Sequence, residues 1–371
     1  MINIIPEFRA RGNPSTLMNF LVPIIAVILT IFTGSIIFVL MGFEPGFALY
    51  TFFISPISNS YGISELLVKA TPLALIAVGL SFCFKNNLYN IGAEGQLTIG
   101  ALTGGGLALL FYNVDSVFLL PAMIIAGIFG GAIWAAIPAF LRVRFNTNEI
   151  LTSLMLVYVA QLILSYLIQG PMRAPDGYNF PESRLFHDAA LLPTLISETR
   201  LHAGWIAAFF FAVIAWILWS RHIIGFQVKV AGDAPLAARF SGVREKNVTW
   251  LVLLISGGTA GLAGMIEVSG PIGQIVPIIS PGYGFTAIIV AFLGRLNPIG
   301  IIFSGMLMAL TYLGGDAAQI EMKLPNAVTG VFQGMLLFFL LATDFFVKYR
   351  IRFGALRKIQ DKESSKKGVV G

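Results

Sequence analysis

The sequence has 371 residues, of which 57% are hydrophobic and only 11% charged, with a mean hydropathy of +0.84. A soluble domain carries roughly a quarter of its residues as charges, so a soluble enzyme is excluded. The net charge of +6, which on a soluble chain would point to nucleic acid, has to be read here by position rather than as a sum.

Uncharged apolar stretches recur from end to end. A spanning helix needs about 20 largely apolar residues, because inside hydrocarbon the backbone must satisfy its own hydrogen bonds. In chain order the predicted spans are 17–42, 66–84, 91–112, 117–141, 149–169, 203–220, 248–269, 282–294, 298–314 and 325–347. The runs do not alternate as barrel strands would. The expected fold is an all-α polytopic membrane protein. The first run is too long for the apolar core of a signal peptide and lacks a convincing cleavage site.

Between the second and third spans lies KNNLYNIGAEGQ, Lys85 to Gln96. It sets Glu94 about a turn into a span, close to Asn90 and Gln96. An ionised group at the bilayer centre costs at least about 2.5–3.5 kcal/mol, so it is either functional or locally paired. A local network and a substrate site both stay open. The single cysteine, Cys83, lies in the apolar run just before and reads as a buried small residue. Three scattered histidines offer no metal spacing.

The segment 170–202 is polar and rich in proline, either a solvated connector or a docking surface or gate cover on the outer face. The loop 221–247 contains VKVAGDAPLAARFSGVREKN. Pro235 is placed to open a short helix with Asp233 capping it, and Gly242 to end it. Leu236, Ala237, Ala238 and Phe240 give it a small apolar surface. Such a helix has little to bury against unless a partner supplies a groove; a helix lying on lipid is the alternative. Glu267, late in span seven, reads as a solvated helix end or an ion site. The eighth span, about 13 residues or roughly 20 Å of helix, is too short to cross alone and reads as a half-helix.

Lysine and arginine concentrate in cytoplasmic loops. With the N-terminus inside, ten spans place Arg9, Arg11, Lys85, Arg142, Arg144, the cations of 221–247, Arg295 and the tail from Lys348 to Lys367 on the inner side. The outer loops keep only Arg173, Arg184, Arg200 and Lys323, each beside acids. The predicted organisation is a cytoplasmic N-terminus (1–16), a transmembrane domain (17–347) and a basic cytoplasmic tail (348–371). Ten spans divide as five plus five, and an odd set inverts its repeat, which sets span three against span eight. Glycines at spacing four (Gly100/Gly104, Gly127/Gly131, Gly257/Gly261, Gly330/Gly334) allow close helix packing, generic or as a dimer seam. No phosphate loop, HExxH or nucleophile elbow occurs.

The stretches TPLALIAVGLSFCFKNNLYNIGAEGQLTIGA (71–101), NEILTSLMLVYVA (148–160), GDAPLAARFSGV (232–243), SGGTAGLAGMIEVSGP (256–271) and SPGYGFTAIIVAFLGRLNPIGI (280–301) together resemble the permease subunits of bacterial ABC importers of the branched-chain amino acid, simple-sugar and nucleoside group. The resemblance is closest to the nucleoside branch, which works with lipoprotein receptors of the basic-membrane-protein type. Val157-Tyr158 departs from the Asn-Tyr usual in relatives. The resemblance implies a type II-like importer permease of the bacterial inner membrane. Such a permease would have no cofactor or catalytic role of its own. Its implied partners are an ATPase that binds ATP, a second and different permease chain, and an extracytoplasmic lipoprotein receptor. Gly232, Asp233, Ala234, Pro235, Ala237, Ala238, Arg239 and Gly242 would form the coupling helix in an ATPase groove. A path for nucleosides is expected beside spans three and eight, with Asn90, Glu94 and Gln96 on one side and Tyr283, Phe285 and Arg295 near the other. A monosaccharide importer and an ion-coupled secondary transporter are the competing functions.

Overall fold

A computed structural model describes residues 6–10, 16–177, 179–325 and 327–353. Arg11 and the tail cations from Arg357 to Lys367 lie outside the described residues. In chain order the elements are β1 (Pro6–Ala10), α1 (Thr16–Leu40), α2 (Pro45–Phe53), α3 (Ser60–Lys85), α4 (Ala93–Leu110), α5 (Leu119–Phe145), α6 (Glu149–Gln169), α7 (Gly204–Arg221), α8 (Ile223–Asp233), α9 (Pro235–Phe240), α10 (Glu245–Glu267), α11 (Tyr283–Leu293), α12 (Pro298–Met322), α13 (Ala327–Lys348) and β2 (Tyr349–Phe353).

The chain is a helical, multi-pass membrane protein. Every predicted span coincides with a helix, and eight helices among the described residues are long and apolar enough to cross a bilayer. Two fall short for different reasons. Helix α4 has 18 residues but is diluted by glycine and opens on Glu94 and Gln96. Helix α11 has 11 residues, about 16 Å of rise. Spans two and nine run longer than predicted, to 26 and 25 residues; the added first turns of α3 bury Ser64 and Glu65, whereas the added end of α12 keeps Asp316, Gln319 and Glu321 exposed. Helix α2 was not anticipated; at nine residues it is too short for a hydropathy window.

The chain divides into two compact units, residues 38–333 and residues 1–37 with 334–371. In the second, β1 pairs antiparallel with β2, Pro6 opposite Phe353 and Ala10 opposite Tyr349. Nothing in the sequence pattern announces this ribbon. It ties the segment before α1 to the segment after α13.

In the larger unit, α3 and α10 are buried along most of their length, while α5, α6 and α7 expose broad apolar faces. Such faces are stable only against lipid. Polar punctuation sets the helix ends. Asn59 accepts from the Gly62 amide at the start of α3 (2.6 Å), Asn148 from Ile150 at the start of α6 (2.9 Å), and Asn297 from Ile299 at the start of α12 (3.0 Å). Asn146 ends α5 in a left-handed conformation. The predicted glycine spacing works within the chain. Gly261 of α10 lies so close to α5 that a Cβ there would overlap the Gly127 carbonyl, and one at Gly100 of α4 would overlap Gly261 itself. Gly330, by contrast, faces open space.

Candidate translocation and coupling sites

The chain leaves α3 at Lys85 and turns at Asn86 and Asn87, the latter in a left-handed conformation (φ 54°). It then re-enters the protein toward α4. Asn90 is fully buried there. Its Nδ2 donates to Gln96 Oε1 (2.8 Å) and to Ser256 Oγ of α10 (2.9 Å). Its Oδ1 accepts from the Gly92 amide (3.0 Å) and from Gln96 Nε2 (3.1 Å). The next amide, Ile91, donates to Ser153 Oγ of α6 (3.2 Å). Asn90 and Gln96 therefore hold one another and tie the start of α4 to α6 and α10.

Glu94 is buried and meets α11 end to end: its Oε2 accepts from the Gly284 amide at 2.6 Å. Ser280 Oγ accepts from Gly282 (3.1 Å) and Tyr283 (2.8 Å). The first amides of a helix have no partner within it, and here a serine and a carboxylate supply them. A negative group at this end is also favoured by the helix dipole. The approach needs a glycine, since a Cβ at Gly284 would overlap the Glu94 backbone. Spans three and eight, set opposite by the five-plus-five division, thus touch through their N-termini.

Beyond this junction runs a polar column, of which the sequence reading named only Tyr283. Tyr283 packs edge-on against Tyr312 of α12, with centroids 5.5 Å apart. The Tyr312 hydroxyl shares a 2.8 Å hydrogen bond with Thr286, whose hydroxyl also donates to Gln333 Oε1 (3.4 Å). Gln333 Nε2 is buried without a partner. Lys69 of α3 pairs with Asp316 (3.2 Å) and lies 5.9 Å from the centre of the Tyr312 ring. Isolated tyrosines, threonines and glutamines within apolar runs were the available signal. Phe285 is 39% exposed. Arg295 lies past the far end of α11 in a left-handed conformation (φ 56°), so α11 separates it from Glu94 by about 16 Å.

The segment between α6 and α7 is strapped over the end of α10. Helix α10 runs on through a π turn at Val268–Ile272, and the chain then reverses at Gly273 (φ 75°). Leu192 donates to Ser269 O (2.9 Å), Phe186 to Gly273 O (2.8 Å), and Ser183 exchanges two bonds with Ile275 (3.0 and 2.9 Å). Arg200 grips Glu65 of α3 with Nε (2.9 Å) and Nη2, which raises the arginine pKa. His202 is buried, with Nδ1 accepting from the Gly204 amide (3.1 Å) and Nε2 unpartnered. Burial pushes its pKa down to about 4. The segment is therefore fastened to α10 and α3 rather than hanging free as a connector. Glu267 beneath it is buried, not the solvated helix end expected from sequence.

On the opposite side, α8 ends at Asp233 and α9 begins at Pro235. The N-cap of α9 is Ala234, not Asp233 as expected. Asp233 is still part of α8, so it lacks the extended backbone a cap needs. Gly242 (φ 80°) ends α9, its amide donating to Arg239 O (3.1 Å). Ala238 packs inward, whereas Ala234, Pro235, Ala237, Leu236 (71%) and Phe240 (94%) are exposed. Arg239 pairs with Glu245 of α10 (2.9 Å), which raises its pKa. Gly232 packs on the backbone of Lys85 and Asn86, and Asn87 Nδ2 donates to Gly232 O (2.8 Å). The turn that leads into α4 is therefore bonded to the segment that carries α9.

Residues 62–341 match the family model described as branched-chain amino acid transport system / permease component. A glucose ABC transporter permease protein of Haloferax volcanii is 35% identical over 97% of both chains. A guanosine ABC transporter permease protein of Bacillus subtilis is 28% identical, covering 92% of this chain and 98% of its own. A nucleoside ABC transporter permease protein of Lactococcus lactis is 27% identical, covering 94% and 96%.

Proposed function

The chain belongs to the branched-chain amino acid transport permease family, and from that premise we propose that it is the membrane-spanning permease of an ABC importer for nucleosides. An extracytoplasmic receptor delivers the substrate and separate ATPase subunits drive the cycle; this chain itself catalyses no reaction. The observation that carries the reading is α9, a short helix with Leu236 and Phe240 exposed, bonded through Gly232 to the turn that enters α4. Exposed apolar side chains on so short a helix fit a groove on a partner. Displacing α9 pulls on Asn86 and Asn87, and through them on the Asn90–Gln96 brace and the Glu94–Gly284 junction. ATP-driven movement thereby reaches the helices beside the path. Both termini, and α9 with them, are cytoplasmic in this reading, in keeping with the concentration of cations there.

In the path, Tyr283, Phe285, Thr286, Tyr312 and Gln333 offer the aromatic faces and hydrogen-bonding groups a nucleoside needs. Asn90 and Gln96 brace the wall behind them, and Arg295 marks its cytoplasmic end. Nucleoside import is supported by the Bacillus and Lactococcus relatives. A sugar importer is the second reading, favoured by the higher identity of the Haloferax relative. Vesicles containing this chain, its neighbouring permease, ATPase and receptor should accumulate guanosine when loaded with ATP. Uptake unaffected by excess glucose supports the first reading. Accumulation of glucose alone would replace it with the second, and accumulation driven by a proton gradient without ATP would overturn both.

A further inference from the structure

At the end of α3, α7 and α8 border an open cleft of about 790 Å³. Its lining divides by chemistry. Lys85, Arg221 and Lys229 bring three cations to it, while Trp219, Ile223 and Phe226 are apolar. Among the described residues none of the three cations is ion-paired with a carboxylate. Lys85 Nζ lies 3.8 Å from the centre of the Trp219 ring, and Lys229 shares the same lining. Trp219 Nε1 is buried without a partner. Asp233 is the acid in the lining, and one carboxylate does not balance three cations. Converging unpaired cations repel one another until an anion joins them.

The position of the cleft narrows what that anion is. Helices α3 and α7 span the membrane and end at Lys85 and Arg221, so the cleft opens at the membrane boundary. There Ile223 and Phe226, one turn apart on α8, are 65% and 59% exposed. A soluble phosphate uses the cations and leaves this apolar surface wet. A phospholipid uses both, with its phosphodiester among Lys85, Arg221 and Lys229 and an acyl chain against Ile223 and Phe226. We propose that the cleft binds an anionic phospholipid. Tryptophan and long cationic side chains at a span's end are the usual furniture of a headgroup layer. The lipid would join the end of α3 to α8, the helix that leads into α9. It would thus brace the segment that carries force from the ATPase.

The test uses the complete transporter in nanodiscs of phosphatidylcholine with and without phosphatidylglycerol. Native mass spectrometry after partial delipidation should find phosphatidylglycerol retained on the wild type. Arg221→Gln with Lys229→Gln should lower that retention at least about tenfold, and Arg244→Gln, which removes an exposed charge outside the cleft, should not. The ATPase should stay bound in all three, and phosphatidylglycerol should stimulate ATP hydrolysis only where Arg221 and Lys229 remain. Equal retention of the two lipids by the wild type would overturn the proposal. So would displacement of the lipid by glycerol 3-phosphate or ATP, which would make this a soluble-phosphate site. Release of the ATPase from the double variant with lipid retention unchanged would assign the cleft to that partner instead. Lipid retention is read without substrate, so it stands or fails independently of what the transporter imports.

Discussion

The Glu94 carboxylate accepts a 2.6 Å hydrogen bond from the backbone amide of Gly284, joining the N-terminus of α4 to that of α11. Two short helices that begin inside the protein would each leave unsatisfied amides there; this contact and Ser280 close those of α11.

If Glu94 is a brace, its acceptor matters more than its charge. Glu94→Gln keeps an oxygen for Gly284 and should retain uptake within about threefold, with a modest loss of stability from the weaker, uncharged bond. Glu94→Ala leaves a buried amide without a partner, at about 1–3 kcal/mol, and should lower both assembly and uptake. Uptake in vesicles and the yield of assembled transporter separate the two. Loss of uptake in Glu94→Gln with full assembly would make the charge itself part of the transport cycle.

The Asn90–Gln96 pair predicts a different signature. Asn90→Ala strands Gln96, Ser256 and the Gly92 amide together. It should cost more than a generic truncation, about 1–3 kcal/mol for each group left buried and unpaired. Asn90→Leu with Gln96→Leu removes both amides, and the combined loss should be smaller than the sum of the single losses, because residues in one network couple. Thermal unfolding in detergent measures this. Strict additivity would mean the two amides do not act as a unit.

The helical architecture was legible because hydrocarbon leaves the backbone few alternatives, so an apolar run such as Gly204–Arg221 reads directly as a span. The half-helix at α11 was legible from length. What the sequence withheld depends on register between distant helices. KNNLYNIGAEGQ marks a polar spot, but only the fold shows that Asn90 meets Gln96 and Ser256 while Glu94 turns to Gly284. Tyr312 and Gln333 were overlooked for the same reason: one polar residue in an apolar helix looks alike whether it faces the column or a loop. Glu267 looked solvated because no sequence rule says that 170–202 folds back over it. The β1–β2 ribbon joins segments more than 330 residues apart, beyond any local pattern.

The glycine seam makes a steric prediction. A Cβ at Gly261 would overlap the Gly127 carbonyl, and the atoms facing it, from Gly127 and Gly131, are all backbone. Gly261→Ala should therefore force α5 and α10 apart, at about 1–3 kcal/mol or more. Gly330→Ala, with nothing nearby, should leave stability unchanged within about 0.5 kcal/mol. Comparable unfolding temperatures for the two variants would show that the seam is not tightly packed.

The segment around His202, fastened to α10 and α3, should respond to pH through this residue. In an unfolded segment the imidazole titrates near 6.5, whereas burial in the fold lowers its pKa to about 4, Glu65 opposing this only in part. Between those values the unfolded form takes up a proton that the folded form excludes. The contribution of His202 to stability is thus fully present above about pH 6.5 and declines as pH falls toward about 4. Local opening of the segment is the first process to register this, because charging His202 requires it to leave its place against Gly204 and Gly270. Hydrogen exchange across 183–203 should accelerate, after correction for intrinsic rates, as pH drops from 7.5 to 5. His202→Gln keeps an acceptor for the Gly204 amide but cannot titrate, so its corrected exchange should be flat over that interval. A variant that follows the wild-type profile would assign the pH response to the carboxylates of the segment instead.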